Sequence, residues 1–320
     1  MAYPVLATNP NPSYPGANSA YPTTYSGTFI PEIWSSKLVE KYYDGTVLTQ
    51  ITNTDYEGEI SSHGDKVIIR TMPSVSVRPY EIGETLQTDF PTAGTIELLI
   101  DKGLYYQTGI DDVIMKQQDI NQVDLWATDS SETMKFSLDT EVLAYLPANV
   151  HADNTGATAG RISGNVNLGT QAAAIPITKT NVLDQILYMG QVLDEANVPE
   201  QGRFLLLPFW VTTKLKMSDL KEVSVTGDGT SPLRNGMIGI IDRFTVFNSN
   251  LLPTNAGAVG EWQTIMLAGH KDAATFATQM TKTETLRSQN TFGDIMRGLI
   301  VYGYKMIKPE AMTVSYIYAG

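Results

Sequence analysis

The chain has no cysteine among its 320 residues. Disulfides, thiolate-ligated zinc and thiol nucleophiles are therefore excluded. Charge is also scarce: Asp, Glu, Lys and Arg make up 18% of the residues, against roughly 25% in an ordinary soluble domain. Thr, Ser, Asn and Gln fill the gap, which suits a surface largely covered by neighbours. Positive charge is the scarcer sign. A net charge of −12 argues against a sequence-independent nucleic-acid binder, which needs Lys and Arg to displace counterions. It leaves open a container whose wall merely faces nucleic acid. No run approaches the ~20 apolar residues that span a bilayer. No N-terminal segment has the charged-then-apolar pattern of a secretory signal. Asn11-Pro12-Ser13 is the only Asn-x-Ser/Thr triplet, and its proline disables it. These absences lead to the expectation of a soluble cytosolic product with no membrane partner.

Catalytic motifs are missing too. There is no Gly-x-x-x-x-Gly-Lys-Ser/Thr phosphate loop and no Gly-x-Ser-x-Gly elbow. Gly227-Asp228-Gly229 runs into Thr230-Ser231-Pro232 and reads as a turn. Ser218-Asp219-Leu220-Lys221 has the spacing of a Ser-x-x-Lys nucleophile without its companion motifs. The three histidines, His63, His151 and His270, lie in different segments. None has a partner at helical spacing, so they read as surface residues rather than metal ligands. Asp111-Asp112 could be a carboxylate pair for acid–base work, but at a helix start such residues serve the cap and the dipole. The expectation is a protein that is not an enzyme, with no catalytic residue, no cofactor and no metal.

What is present begins with an unusual leader. Met1 to Pro31 carries no charged side chain, yet holds six prolines and four tyrosines, Tyr3, Tyr14, Tyr21 and Tyr25. Such a stretch cannot bury enough apolar surface to fold alone. Proline biases it toward an extended form, and tyrosine supplies contact area at small entropic cost. It reads as an arm that lies on another surface; the alternative is an unstructured leader. Phe29 to Tyr42 follows as a short helix, with Pro31 in its first turn and Trp34, Leu38 and Tyr42 on one edge.

Residues 53 to 107 read as strands. Val67 to Ile69 form one, Val75, Val77 and Tyr80 alternate with polar residues, and Thr95 to Ile100 pairs with Gly103 to Thr108 around Asp101-Lys102-Gly103. The region looks like a long projecting hairpin with no core of its own. Between Thr54 and Lys102 nine acids face four bases, a local charge of −5. From Asp111 the pattern turns helical. Trp126, Met134, Leu138, Val142 and Leu146 share one row of a helix of about 25 residues, about 38 Å long. Asn121 can cap it and Pro147 ends it. Its acids, Asp124, Asp129, Glu132, Asp139 and Glu141, read as a polar face. Residues 148 to 178 read as a loop or a short hairpin at Arg161 to Gly169, outside the core. A second helix runs from Asn181 to Ala196 with Val182, Ile186, Met189 and Leu193 inward. Arg203 to Leu207 is a buried strand ended by Pro208, and a helix spans Phe209 to Met217. Ile238 to Asn248, broken at Asp242-Arg243, and Gln263 to Ala268 are further strands. Gly298 to Ile307 and Met312 to Ala319 read as a terminal hairpin turning at Lys308-Pro309-Glu310. From Gln263 to Gly320 six bases face four acids, a charge of +2.

Several blocks in order resemble one family. They are Phe29-Ile30-Pro31-Glu32-Ile33-Trp34-Ser35, Asn53 to Ile60, Gly64 to Ile69, Thr108 to Val113 with Gln117-Gln118, Val198 to Pro208, Asn235 to Asn250, His270 to Gln279 and Phe292 to Ala311. Together they resemble a tailed-bacteriophage major capsid protein of the Hong Kong 97 fold, in the branch similar to the coat protein of phage P-twenty-two. No block is diagnostic alone; the ordered sum, over nearly the whole chain, carries the likeness.

The resemblance implies an α+β capsid fold. Residues 1–30 would be the N-arm, 31–52 a helix and linker, and 53–110 the extended β-hairpin called the E-loop. Residues 111–174 with 288–320 would form the peripheral domain around the long spine helix, and 175–287 the axial domain. It implies self-assembly through pentamers and hexamers into an icosahedral or prolate shell around double-stranded DNA, which is faced but not read by sequence. Partners would be a portal, a separate scaffolding protein, since no charged helical leader is present, and a decoration or cement protein. Assembly in the host cytoplasm and residence in the virion capsid follow. The candidate inter-subunit contacts are Tyr3, Tyr14, Tyr21, Tyr25, Trp34, Asp55, Glu57 and Glu59. Alternatives are an encapsulin-type protein shell, a tail or decoration protein, and, more remotely, a β-rich carbohydrate-active enzyme.

Overall fold

Apolar residues recurring with a period near 3.6 make helices, and those alternating with a period of two make strands. The computed structural model describes residues 46–56, 66–73, 75–117, 122–218, 239–255, 262–289 and 291–320, all within one unit, Lys41–Gly320. Among the described residues the elements are α1 (Leu48–Ile51), β1 (Lys66–Arg70), β2 (Thr95–Leu99), β3 (Lys102–Asp111), α2 (Asp112–Gln117), α3 (Gln122–Ala148) and β4 (Ile175–Ile177). There follow α4 (Val182–Glu195), β5 (Arg203–Leu207), α5 (Phe209–Lys216), β6 (Ile240–Ile241), β7 (Phe244–Asn248), β8 (Thr264–His270), β9 (Ala274–Arg287), β10 (Gly293–Met306) and β11 (Met312–Ala319). The mixture is α+β, as the sequence implied. The arm and the helix expected at 29–42 lie outside the described residues.

The strands form three sheets: β1-β2, β3-β10-β9, and a mixed six-stranded sheet in the order β4-β11-β8-β5-β7-β6. The six-stranded sheet carries most of the core. All five residues of β5 are buried, as expected of a strand covered on both faces. Val182, Ile186, Met189 and Leu193 on α4 are fully buried in the same cluster. Arg203 is buried at the start of β5. Its Nε and Nη2 donate to the carbonyls of Pro199 and Val198, and its Nη1 lies 2.8 Å from Asp194 Oδ1. Arg243 holds the other oxygen of Asp194 at 2.6 Å. Two guanidinium groups thus fix the C-terminal end of α4 to β5 and to the β6–β7 turn, where Asp242 takes a positive φ of 52°.

The long helix is present as α3, 27 residues, about 40 Å at ~1.5 Å per residue. Leu138, Val142, Leu143 and Leu146 are buried in the main core, and Pro147 sits in the last turn. Asp111 caps α2 by accepting from the Val113 amide at 2.9 Å.

Six readings of the sequence need correction. β2 and β3 do not pair with each other; β2 pairs with β1, and β3 with β10. The cause is Ile100, buried with Ile69, Leu98 and Ala277, which carries the chain across β10 instead of back along β2. At that crossing an added Cβ on Gly303 would lie 2.1 Å from the Leu99 carbonyl, so only glycine admits it. Val75, Val77 and Tyr80 form no strand, because their alternation has no second strand to complete a ladder. Residues 148–178 belong to the core after all: Ala159, Val166 and Leu168 are buried in it. Asp139 faces inward, not to solvent, and accepts from the Val47 amide at 3.0 Å. β10 and β11 do not form a hairpin. Both edges of β10 are taken by β3 and β9, and the turn at Pro309–Ala311 sends β11 to β8 and β4 in the other sheet. β9 escaped notice because its Thr-rich sequence, ATFATQMTKTETLR, looks polar, although Thr is a good strand former.

Candidate inter-subunit surfaces

Between β1 and β2 the chain leaves the body as a long loop. Thr71 donates to the Gly94 carbonyl at 2.8 Å and closes its base. Arg78 joins the two limbs by donating to Gln87 Oε1 and, at 2.9 Å, to Asp89 Oδ1. The chain turns at Glu81–Glu84, where Gly83 has φ of +93°. From Arg70 to the tip at Ile82 the loop can reach at most about 40 Å. Its apolar side chains are nearly bare: Met72 is 96% exposed, Val77 95%, Ile82 99% and Phe90 87%. Bare apolar side chains spread along one loop mark a surface that another surface covers.

The loop stands on a braced base. Ile69, Leu98, Ile100 and Ala277 form a small second core, with Val67, Ile96, Val301 and Ile307 packed around it. The hairpin is thereby fixed to the β3-β10-β9 sheet, next to a bulge in β10 at Val301/Tyr302. On the opposite face of β10, Glu141 of α3 gathers three donors. Its Oε1 accepts from Lys102 Nζ and, at 2.9 Å, from the Tyr304 hydroxyl; its Oε2 accepts from the Tyr302 hydroxyl. Lys102 also lies 4.3 Å over the Tyr304 ring. Burial alone would raise the Glu141 carboxyl, but the donors from Lys102, Tyr302 and Tyr304 outweigh it and hold it below its ordinary value. Burial likewise works against the Lys102 ammonium, yet its bonds to Glu141 and Tyr304 raise it. Burial and then Glu141 push the Tyr302 hydroxyl up. The cluster is a lysine–carboxylate–tyrosine brace that ties the long helix to the sheet bearing the loop.

The outward face of that sheet is partly apolar. Tyr105 and Leu299 sit opposite each other in the β3–β10 register, with Tyr105 78% exposed. Beside them Glu284 accepts from Lys282 and Arg297, which lowers its carboxyl, the Lys282 bond first. On the inward face the Tyr106 ring occupies the space over Gly298, where an added Cβ would meet it at 2.3 Å.

A cleft of about 710 Å³ opens between the β8–β9 and β10–β11 connections, α4 and the base of the loop. It brings together His151 and His270, which the sequence placed in unrelated segments. Each is a cap: His151 Nδ1 accepts from the Asp153 amide at 3.3 Å and His270 Nδ1 from the Asp272 amide at 3.2 Å. His270 Nε2 donates to the Gln201 carbonyl at 2.8 Å. Both rings thus hold local turns. Among the described residues no cluster of three or more His, Asp or Glu side chains could hold a metal ion.

Of the candidate contacts named from the sequence, Asp55 alone lies among the described residues; Tyr3, Tyr14, Tyr21, Tyr25, Trp34, Glu57 and Glu59 lie outside them. Asp55 is exposed. Its amide donates to Asn53 Oδ1 at 2.7 Å and its carboxylate accepts from Asn53 Nδ2 at 3.0 Å. The exposed loop side chains Val77, Ile82, Leu86 and Phe90 were missed. Their signal was in the sequence, as apolar residues in a segment with no core.

The sequence profile of a family described as phage capsid protein matches residues 107–315. No curated protein matches the chain. Among solved structures, a chain of Mycobacterium phage Che8 is similar at 26% identity and a TM-score of 0.74, over 89% of this chain and 96% of that one. A chain from the capsid structure of cyanophage P-SCSP1u is similar at 16% identity and a TM-score of 0.69, over 98% of this chain and 100% of that one. A chain from the mature capsid of bacteriophage PhiM1 is similar at 13% identity and a TM-score of 0.68, over 99% of each.

Proposed function

Since the chain belongs to the phage capsid protein family and serves as a major capsid protein of a tailed phage, we propose that its copies gather as pentamers and hexamers and close into an icosahedral or prolate shell around double-stranded DNA. The observation that carries this is the family match over residues 107–315, joined to a loop whose apolar side chains are left exposed among the described residues. In this reading the loop at 71–94 lies on a neighbouring copy. The arm, through Tyr3, Tyr14, Tyr21 and Tyr25, laces subunits together. Trp34, Asp55, Glu57 and Glu59 take part in contacts between copies.

Residues 53–110 act as the E-loop, α3 as the spine of a peripheral part, and the six-stranded sheet as the axial part. β9 pairs in the sheet of β3 and β10, and β11 in the six-stranded sheet; on that pairing the proposal assigns 274–287 to the peripheral part and 312–319 to the axial part. The acidic hairpin region, −5, and the basic C-terminal region, +2, complement each other across subunits. With a net charge of −12, the wall faces the genome without gripping it. The partners are a portal, a separate scaffolding protein and a decoration or cement protein, with assembly in the host cytoplasm.

The test is the content of the particles. Shells purified from producing cells are treated with nuclease and then opened. Protected double-stranded DNA is the expected content. Shells filled instead with one captured protein and no nucleic acid would contradict the genome-container reading.

A further inference from the structure

Between α3 and β4 the chain doubles back on itself at residues 159–166. Ala159 and Val166 exchange backbone hydrogen bonds at 2.8 and 3.0 Å, and both are buried in the main core. Above this pair the residues 160–165 form a turn at the surface. The Gly164 amide donates to the Gly160 carbonyl at 2.9 Å, and the Gly160 amide to the Asp153 carbonyl at 2.8 Å. Gly160 and Gly164 have φ of +106° and +57°. Glu195, the last residue of α4, clamps the turn: one carboxylate oxygen accepts from the Ile162 amide at 2.8 Å and from the Ser163 amide at 2.9 Å. Gln191 donates to the other oxygen at 2.9 Å. An added Cβ on Gly160 would lie 2.9 Å from that clamping carboxylate.

At the top of this turn Ile162 is 80% exposed. A lone exposed isoleucine on a mobile loop would be ordinary. This one stands on a backbone fixed by buried anchors, two left-handed glycines and a carboxylate. The ordering that binding normally costs is already done. Around it Arg161, Ser163 and Asn165 are exposed, and Arg161 reaches back toward Glu310 at 3.7 Å. An apolar centre within a polar rim is the anatomy of a contact hot spot.

We propose that the 160–165 turn is a preformed contact knob for a second copy of this chain, with Ile162 entering an apolar recess on that copy. This rests on the shell reading. A knob carried by every subunit repeats around the shell, so a modest contact gains weight by multivalency.

The absence of cysteine in the natural chain gives a direct probe. The full-length Ile162→Cys variant carries a single thiol, which a maleimide labels rapidly in free subunits. On assembly the labelling rate at that thiol is expected to fall by about ten-fold or more, the protection due to a seated side chain. Equal labelling in shells and free subunits would overturn the proposal. As a second arm, Ile162→Asn adds no charge beside the Glu195 carboxylate and is expected to give about ten-fold fewer shells at the same concentration, with Ile162→Leu restoring them. Shell yield from Ile162→Asn equal to that of the wild type would also overturn it. Failure of the wild-type chain itself to assemble would instead bring down the shell reading, and the knob with it.

Discussion

Glu141 shows how much a single residue can organise. It faces Lys102, Tyr302 and Tyr304, and the Tyr302 side chain is nearly inaccessible, at 1%. Replacing Glu141 with Ala leaves the buried Tyr302 hydroxyl without its acceptor and the Lys102 ammonium with the Tyr304 hydroxyl alone of its two side-chain partners. The expected loss is about 1–3 kcal/mol in denaturant unfolding, with Tyr302→Phe costing about 1 kcal/mol. An unchanged midpoint for Glu141→Ala would refute the brace.

Glu195 gives a pH signature. Burial would raise its carboxyl, but the Ser163 and Ile162 amides and the Gln191 side chain bring it down from 4.5 to about 2. A carboxyl lowered on folding contributes stability above its unfolded value and loses it as pH falls through the folded one. The clamp is therefore fully in force above pH ~4.5 and lost toward pH ~2, a contribution on the order of 1–2 kcal/mol after solvent screening. Unfolding measured from pH 6 to 2 should show Glu195→Gln missing that part of the acid dependence. Parallel curves for the two proteins would contradict the charged clamp. Neither residue could be read from the sequence. Glu141 looked like one more acid on a solvated helix face, because its partners lie 39 to 163 residues away. Asp139, two positions earlier, looked the same and is buried.

Single elements were legible in the sequence where their burial is periodic and local. α4, β5 and α5 follow from apolar rows and the Pro208 break, and α3 from its i+4n row. What was not legible is pairing. β2 and β3 are separated by two residues and look like a hairpin, yet Ile100 belongs to a cluster whose other members come from β1, β2 and β9. β10 and β11 look like a hairpin as well, but both edges of β10 are already taken. Paired substitutions test the crossing at β10. Gly303→Ala must displace the Leu99 carbonyl and is expected to cost about 1–3 kcal/mol. Gly103→Ala, whose nearest neighbour would be 3.6 Å away, should be neutral or slightly stabilising, because Ala has less backbone freedom to lose. Equal melting temperatures for the two variants would contradict the crossing. The exposed loop makes the complementary case. Replacing residues 75–90 with a short Gly/Ser linker removes no core side chain. Subunit unfolding should stay within about 0.5 kcal/mol of the wild type, while assembly is lost.

At the scale of the whole molecule, the low charge content, 18% of residues, acquires a physical role. A subunit with bare apolar side chains on a projecting loop, an open sheet face and a fixed apolar knob is one part of a larger surface. Much of its stability then comes from its neighbours by mass action. The uncharged segment Met1 to Gly27 extends the same logic: removing it should leave melting of the described body unchanged and lower the temperature at which shells fall apart. Shells as heat-resistant as before would reduce that segment to a leader. The central claim, that copies of this chain build a closed shell, is tested most directly by electron microscopy of the full-length protein produced with the other structural proteins of its particle. Closed shells of uniform size, whose reconstruction shows the 71–94 loop lying on an adjacent subunit, are the expected result; a persistent monomer with no shells would contradict the account.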